Sequence, residues 1–151
     1  MIKIICVGKI KEKYIIEAIN EYLKRLKKYT KVEIFEVNDI SIDDKQIALE
    51  KEKKLIEKYI DKKDYVISLA IEGNNITSIE LAKKIDISLI EYPNITFIIG
   101  GSYGIHESIK KNSNYLLSFS KMTFPHKLFR ILLLEQIYRS FKILKNESYH
   151  K

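Results

Sequence analysis

Cysteine is almost absent: Cys6 is the only one in 151 residues. An intrachain disulfide is therefore excluded, and any cysteine-based metal site would need its ligands from elsewhere. Set in the apolar run Ile4-Ile5-Cys6-Val7, it reads as a small buried hydrophobe. Histidine is scarce too, and His106, His126 and His150 stand far apart without a His-Glu-x-x-His spacing, so no metal centre is expected. With two prolines and five glycines the chain holds nothing that reads as a linker, and residues 1–151 are expected to form a single domain. Long apolar runs are missing as well. The segment Ile2 to Val7 is too short for a signal-peptide core and far too short to span a bilayer, so a cytoplasmic protein without membrane contact is expected. The chain also lacks G-x-G-x-x-G, G-K-[ST] and G-x-S-x-G, which leaves a Rossmann dehydrogenase, a P-loop NTPase and an α/β-hydrolase without support.

What is present is a balance of 46% hydrophobic and 31% charged residues, the mixture of a chain that folds. Its formal net charge is +7, an excess that attracts phosphate and speeds encounter with nucleic acid. A Lys-, Ile- and Asn-rich composition can equally reflect nucleotide bias, and Lys51 to Lys54 reads as a solvated helix face.

Apolar periodicity alternates between two kinds of element. Strands are predicted at Ile2–Val7, Val32–Val37, Tyr65–Leu69, Ile95–Ile99 and, shorter, Tyr115–Ser118. Between them, helical spacing runs from Glu12 to Lys28 through Ile15, Ile16, Ile19, Leu23 and Leu26, and from Asp43 to Ile60, capped by Asp43 or Ser41. A turn at Glu72-Gly73-Asn74-Asn75 precedes a helix from Ser78 to Ile90, capped by Thr77 or Ser78. A short helix begins near Ile105, and a last one runs from Pro125, which suits a first helical turn, to about Leu144. Strands that are apolar throughout and alternate with helices predict an α/β fold with a mostly parallel sheet covered on both faces. Such sheets bind ligands at the carboxyl ends of their strands, so the loops after Leu69 and Ile99 are the first candidates.

Three of the five glycines, Gly100, Gly101 and Gly104, crowd into the second of these loops. Either a ligand lies against the main chain there, or the strand turns tightly with positive φ. Further on, Phe119, Met122 and Phe124 have the composition of an apolar slot, and equally of ordinary core.

Four ordered motifs carry a resemblance. The loop Ile98-Ile99-Gly100-Gly101-Ser102-Tyr103-Gly104, the segment Leu117-Ser118-Phe119-Ser120-Lys121-Met122-Thr123-Phe124-Pro125-His126, the helix text Leu134-Glu135-Gln136-Ile137-Tyr138-Arg139 and the ending Tyr149-His150-Lys151 resemble the ribosomal RNA large subunit methyltransferase H (RlmH) family. Val7-Gly8-Lys9 and Glu21-Tyr22-Leu23-Lys24-Arg25 extend the likeness to nearly the whole chain. The resemblance implies a SPOUT-type fold with a C-terminal trefoil knot, which topology rules alone would argue against. It further implies a homodimer that uses S-adenosyl-L-methionine to methylate N3 of a pseudouridine in helix 69 of large-subunit (23S) ribosomal RNA, on the ribosome or the large subunit. Cofactor contacts carry over to Leu69, Gly100 and the run Phe119, Ser120, Lys121, Met122, Thr123 and Phe124. The chain departs from the family at Ala70, where an acidic residue is common, and at Asn74, where a Lys is common; Glu72 is a nearby substitute for the missing charge.

N3 of pseudouridine carries a proton that must leave, and the groups proposed to act on the base are His150 as proton acceptor or orienting group, Tyr149 as stacking partner and Arg139 as a phosphate or base contact. Without the resemblance, a Tyr-His pair in a polar tail is decoration that buries little surface, and Arg139 is a salt-bridge partner on a helix. His126 is expected to fix the junction between loop and helix. The apolar last helix is expected to join the dimer, with one subunit's tail approaching the other's cofactor site. The rival reading is a catalytically silent basic RNA-binding or ribosome-assembly factor on the same fold.

Overall fold

The computed structural model describes residues 1–151. Strands and helices alternate as β1 (Ile2–Val7), α1 (Lys13–Leu26), β2 (Val32–Val37), α2 (Lys45–Glu57), β3 (Asp64–Asn75), α3 (Ser78–Glu91), β4 (Asn94–Ile99), α4 (Glu107–Asn112), β5 (Tyr115–Ser118) and α5 (His126–Leu144). The sheet order is β2-β1-β4-β3-β5 and every pairing is parallel. This is the expected α/β architecture.

Successive strand residues point to opposite faces, and both faces are covered. Ile2, Ile4 and Cys6 of β1 and Phe97 of β4 pack into a core with Ile15 and Ile19 of α1, Leu81 and Ile85 of α3, and Leu133 and Ile137 of α5. Ile5, Val7 and Ile98 face the other way, into a smaller core with Ile56 of α2 and Ile109 of α4. Burial pushes the Cys6 thiol up to about 12, although Arg130 pulls it down, so it is no nucleophile near neutral pH.

Local chemistry explains where the elements differ from expectation. Asp44, not Asp43 or Ser41, caps α2, accepting from Gln46 N at 3.0 Å and Ile47 N at 3.1 Å. Thr77 caps α3 in a reciprocal box with Glu80, whose carboxylate accepts from Thr77 N at 2.7 Å. Ile16, counted in the apolar stripe of α1, is exposed. Pro125 stands at the N-cap of α5 rather than inside its first turn.

The largest difference lies in β3, which does not end at Leu69 but continues to Asn75 in place of the turn. Both Leu69 and Asn74 align with Leu117 of β5, so the four residues between them leave the register. Gly73 allows the return, since a Cβ there would sit 2.8 Å from the Leu116 carbonyl. Asn74 Nδ2 then donates to Leu116 O at 3.1 Å and Asn75 Nδ2 to Ser118 O at 2.8 Å, hydrogen bonds that no periodicity could reveal.

Candidate active site

The carboxyl ends of β3, β4 and β5 open into a cavity of about 630 Å³. Its walls come from the irregular stretch of β3 (Leu69 to Glu72), the glycine loop (Gly100 to Ile105), the segment after β5 and the first turn of α5. The volume falls in the range of small-molecule sites, and the mixture of apolar side chains with main-chain polar groups suits a nucleoside-sized ligand.

The glycine loop turns tightly. Gly104 has φ +79°, and its N–H donates to Gly101 O at 3.0 Å. A Cβ on Gly100 would press on the Gly104 carbonyl and lie 2.9 Å from Ile105 Cγ1. The glycines therefore allow the loop to close on itself, and the bare main chain of that closed loop forms one cavity wall.

The segment after β5 is held by few contacts. Ser118 Oγ donates to Ser120 O at 3.0 Å, and Ser120 Oγ accepts from Met122 N at 3.0 Å. Phe119 and Phe124 pack on Phe129 of α5 with ring centroids 4.7 and 6.1 Å apart. Met122 is nonetheless 73% exposed, an unusual position for an apolar side chain beside a cavity. Of the expected cofactor residues, Leu69, Gly100, Phe119, Ser120, Met122, Thr123 and Phe124 line the cavity and Lys121 does not.

The wall also contains residues not singled out in advance as contacts: Tyr103, Lys110, His126 and Phe129, together with Glu72. Lys110 Nζ and Glu72 Oε1 pair at 2.6 Å, so the acidic residue near the Ala70 departure is tied to α4. The Lys110 pairing lowers the Glu72 carboxyl below the usual range. His126 begins α5 at the cavity rim, and neither of its ring nitrogens has a hydrogen-bond partner within the chain.

Arg139, Tyr149 and His150 form a separate cluster at the far end of α5. Thirteen residues separate His126 from Arg139, about 20 Å along a helix axis. Arg139 Nη2 pairs with Glu135 Oε1 at 2.7 Å, and Tyr149 Oη donates to the same oxygen at 3.1 Å. The Tyr149 ring stands edge-on to Tyr138 at 5.0 Å, with the Arg139 guanidinium 4.7 Å from its centroid. Arg139 Nη1 donates to His150 Nδ1 at 3.2 Å. Arginine is only a donor, so Nδ1 accepts and the neutral ring carries its proton on Nε2. Tyr149 is thus packed against α5, while His150 and Lys151 are exposed. Asn146, at φ +53°, turns the chain back, and Glu147 accepts from Tyr29 Oη at 2.8 Å and Lys142 Nζ at 2.5 Å.

Residues 1–150 match the family model described as "Predicted SPOUT methyltransferase". A Clostridium botulinum protein named ribosomal RNA large subunit methyltransferase H is 50% identical over 157 residues, covering 99% of both chains. Its namesake from Clostridium perfringens is 49% identical over 158 residues with the same coverage. The chain belongs to the ribosomal RNA large subunit methyltransferase H family. Among solved structures, a probable methylase family protein from Haemophilus influenzae superposes with a TM-score of 0.57 at 16% identity, over 99% of this chain and 70% of that one. A tRNA (m1G37) methyltransferase from Aquifex aeolicus gives 0.53 at 15% identity, over 91% and 69%. These two likenesses concern the fold alone. As a member of the RlmH family, the chain needs a pocket for a methyl donor, and the strand-end cavity has the size and lining for one. No three His, Cys, Asp or Glu side chains converge as metal ligands, and no helix is long and apolar enough to cross a membrane.

Proposed function

We propose that this protein transfers a methyl group from S-adenosyl-L-methionine to N3 of a pseudouridine in helix 69 of large-subunit (23S) ribosomal RNA, acting as a cytoplasmic homodimer of single-domain, knotted SPOUT subunits. The observation that carries the reading is the division of labour along α5: a nucleoside-sized cavity at one end and a Tyr-His-Arg cluster at the other, in a chain whose relatives bear the rRNA methyltransferase name over 99% of both lengths. Leu69, Met122 and Phe124 would border the adenine, while the main chain of Gly100 and of Phe119 to Thr123 would supply its polar partners. Lys121, outside the cavity wall, would contact only the donor's outer edge or the RNA. The bound donor supplies an electrophilic methyl carbon.

The residues of the chain then position the base. Methyl transfer needs an in-line nucleophile at near-attack distance, so orientation supplies most of the rate. Each tail folds back on the middle and end of its own α5, and in the composite-site reading it is delivered to the partner's cavity across the dimer. The exposed Leu128 and partly exposed Ile131 and Leu132 of α5 give that dimer an apolar surface. Tyr149 would stack on the base and Arg139 would contact a phosphate or base edge. His150, with Nδ1 accepting from Arg139, offers Nε2–H as a donor and so orients the base rather than accepting its proton.

The decisive test is single-turnover methylation of ribosomes from cells lacking the protein, with mass mapping of the product. Methyl on N3 of one helix 69 pseudouridine is expected. Tight RNA binding with no S-adenosylhomocysteine affinity in calorimetry would instead select the silent assembly factor. Mixed dimers of a cavity variant and a tail-deleted variant are expected to recover activity.

A further inference from the structure

Accepting the methyltransferase reading leaves the proton on the target nitrogen without a destination. His150 is engaged through Nδ1 as an acceptor from Arg139. We propose that His126, at the rim of the donor's own cavity, is the catalytic residue that accepts the proton from the target base.

Three observations converge on this side chain. It lines the cavity between the segment after β5 and the first turn of α5. Its ring nitrogens are free of intramolecular hydrogen bonds, while both other histidines are committed: His106 caps α4 through Nδ1 and meets Glu50 at 2.9 Å through Nε2. Third, the Nε2–Cδ2 edge of the ring is packed against the end of β1, which leaves Nδ1 as the nitrogen to accept the proton. Gly8, at φ +96°, brings the end of β1 so close that a Cβ there would lie 3.4 Å from His126 Nε2 and 3.9 Å from Arg130 Nη2. Arg130 is 1% exposed and fixes that turn by donating to Gly8 O at 2.6 Å and Val7 O at 3.3 Å, with Glu36 at 2.5 Å as its counter-ion.

The charges around the ring suit a base. Arg130 and Lys127 from α5 disfavour the imidazolium; Asp39, after β2, and Glu12, at the start of α1, favour it. Burial is the largest influence and, with Arg130, moves His126 below its usual value, so the ring is neutral and ready to accept at neutral pH. Asp39, which also stands near Gly101, is placed to stabilise the imidazolium once it forms.

The step balances. The proton on the base nitrogen passes to the imidazole, and the nitrogen's electron pair forms the new bond to the methyl carbon of the sulfonium donor. The carbon–sulfur pair stays on sulfur as a neutral thioether, and the imidazolium returns its proton to solvent at the rim.

The test compares wild type, His126→Gln and His126→Ala in single-turnover methylation of purified ribosomes from pH 5.5 to 9.5, with S-adenosylhomocysteine affinity measured on each. The expected result is homocysteine-product affinity within about threefold of wild type, a rate at pH 7 lower by about 10²-fold or more in both variants, and a variant rate that keeps climbing with pH where wild type has levelled. Added imidazole should raise the His126→Ala rate and leave wild type unchanged. Variants that bind the ligand, methylate within threefold of wild type and keep its pH profile would overturn the proposal while leaving the methyltransferase reading intact. A lowered rate with the wild-type pH profile and no rescue by imidazole would also overturn it, as the mark of a merely structural histidine. A wild-type protein that methylates nothing would overturn the reading itself, and this role with it.

Discussion

The two ends of α5 are built on opposite plans. At the start, Phe119, Met122 and Phe124 sit around an open cavity with few hydrogen bonds, Met122 largely exposed. At the end, Glu135, Arg139, Lys142, Glu147 and Tyr149 form a dense set of polar contacts that fold the tail onto the helix. An open apolar surface leaves room for a ligand; a satisfied polar network holds a shape. The contrast teaches that the two roles proposed for these ends, holding a donor and orienting a base, call for different physics, room in one case and pre-arranged direction in the other.

One buried cation, Arg130, ties the cavity end of α5 to the end of β1, and the largest effect is expected there. Arg130→Met removes the donor to Val7 O and Gly8 O and leaves Glu36 without its partner. Glu36 is 35% exposed and keeps its hydrogen bond from Ile10 N, so the cost falls on the buried carbonyls left without Arg130, about 1–3 kcal/mol each, and urea denaturation should show a loss of that order. A change under 1 kcal/mol would mean that water or Lys neighbours take over the role.

Next comes Gly100→Val. The added branch meets the Gly104 carbonyl and Ile105, so the loop must shift and the cavity wall with it. Overpacking of about 1–3 kcal/mol corresponds to roughly 5- to 150-fold weaker S-adenosylhomocysteine binding, read by calorimetry. Unchanged affinity would free the glycine loop of any part in the cavity.

How far the sequence announced this contrast depends on the element. Ile2–Val7, Val32–Val37 and Tyr115–Ser118 match the observed strands at both ends: the central β1, covered on two faces, is an almost unbroken apolar run, while the edge strands β2 and β5 are less buried and carry polar residues among their apolar ones. The continuation of β3 through Glu72-Gly73-Asn74-Asn75 was illegible, since it resumes its ladder with β5 only after a register shift, with two asparagine side chains reinforcing it, and Gly-Asn text ordinarily signals a turn. The cavity was legible at Leu69 and Gly100 from strand ends, and Phe119 to Phe124 came forward through the family motif. The packing of the tail was not, because Tyr149, Arg139 and Glu135 are fourteen or fewer residues apart yet meet only after Asn146 reverses the chain.

At the opposite end of α5, removing Tyr149, His150 and Lys151 should separate binding from turnover. The truncation loses the phenol-to-carboxylate hydrogen bond and the edge-on contact with Tyr138, about 1–2 kcal/mol of stability for partly exposed groups. Glu135 and Arg139 remain paired, and the cavity is untouched. S-adenosylhomocysteine affinity should therefore hold within about twofold while methylation of ribosomes nearly disappears. Equal losses of binding and turnover would erase the distinction between the two ends.

The smallest and most specific effect concerns how the tail is held. Glu147 is lowered to about 2, first by its hydrogen bond from Lys142, then by Tyr29 and Lys28. A carboxyl whose folded value lies below its free value of 4.5 contributes stability above pH 4.5 and loses it as pH falls toward about 2. Because the group is solvent-facing, the contribution is screened and should appear in the tail rather than in global unfolding. Across that pH window, nuclear magnetic resonance signals from Tyr149 should move toward those of a free tyrosine before the resonances of β1 and β4 change. In Glu147→Gln the same signals should be partly shifted already at pH 7 and lose their dependence between pH 4.5 and 2. A tail that detaches in that window in the Gln variant as it does in wild type would show that Glu147 does not anchor the cluster.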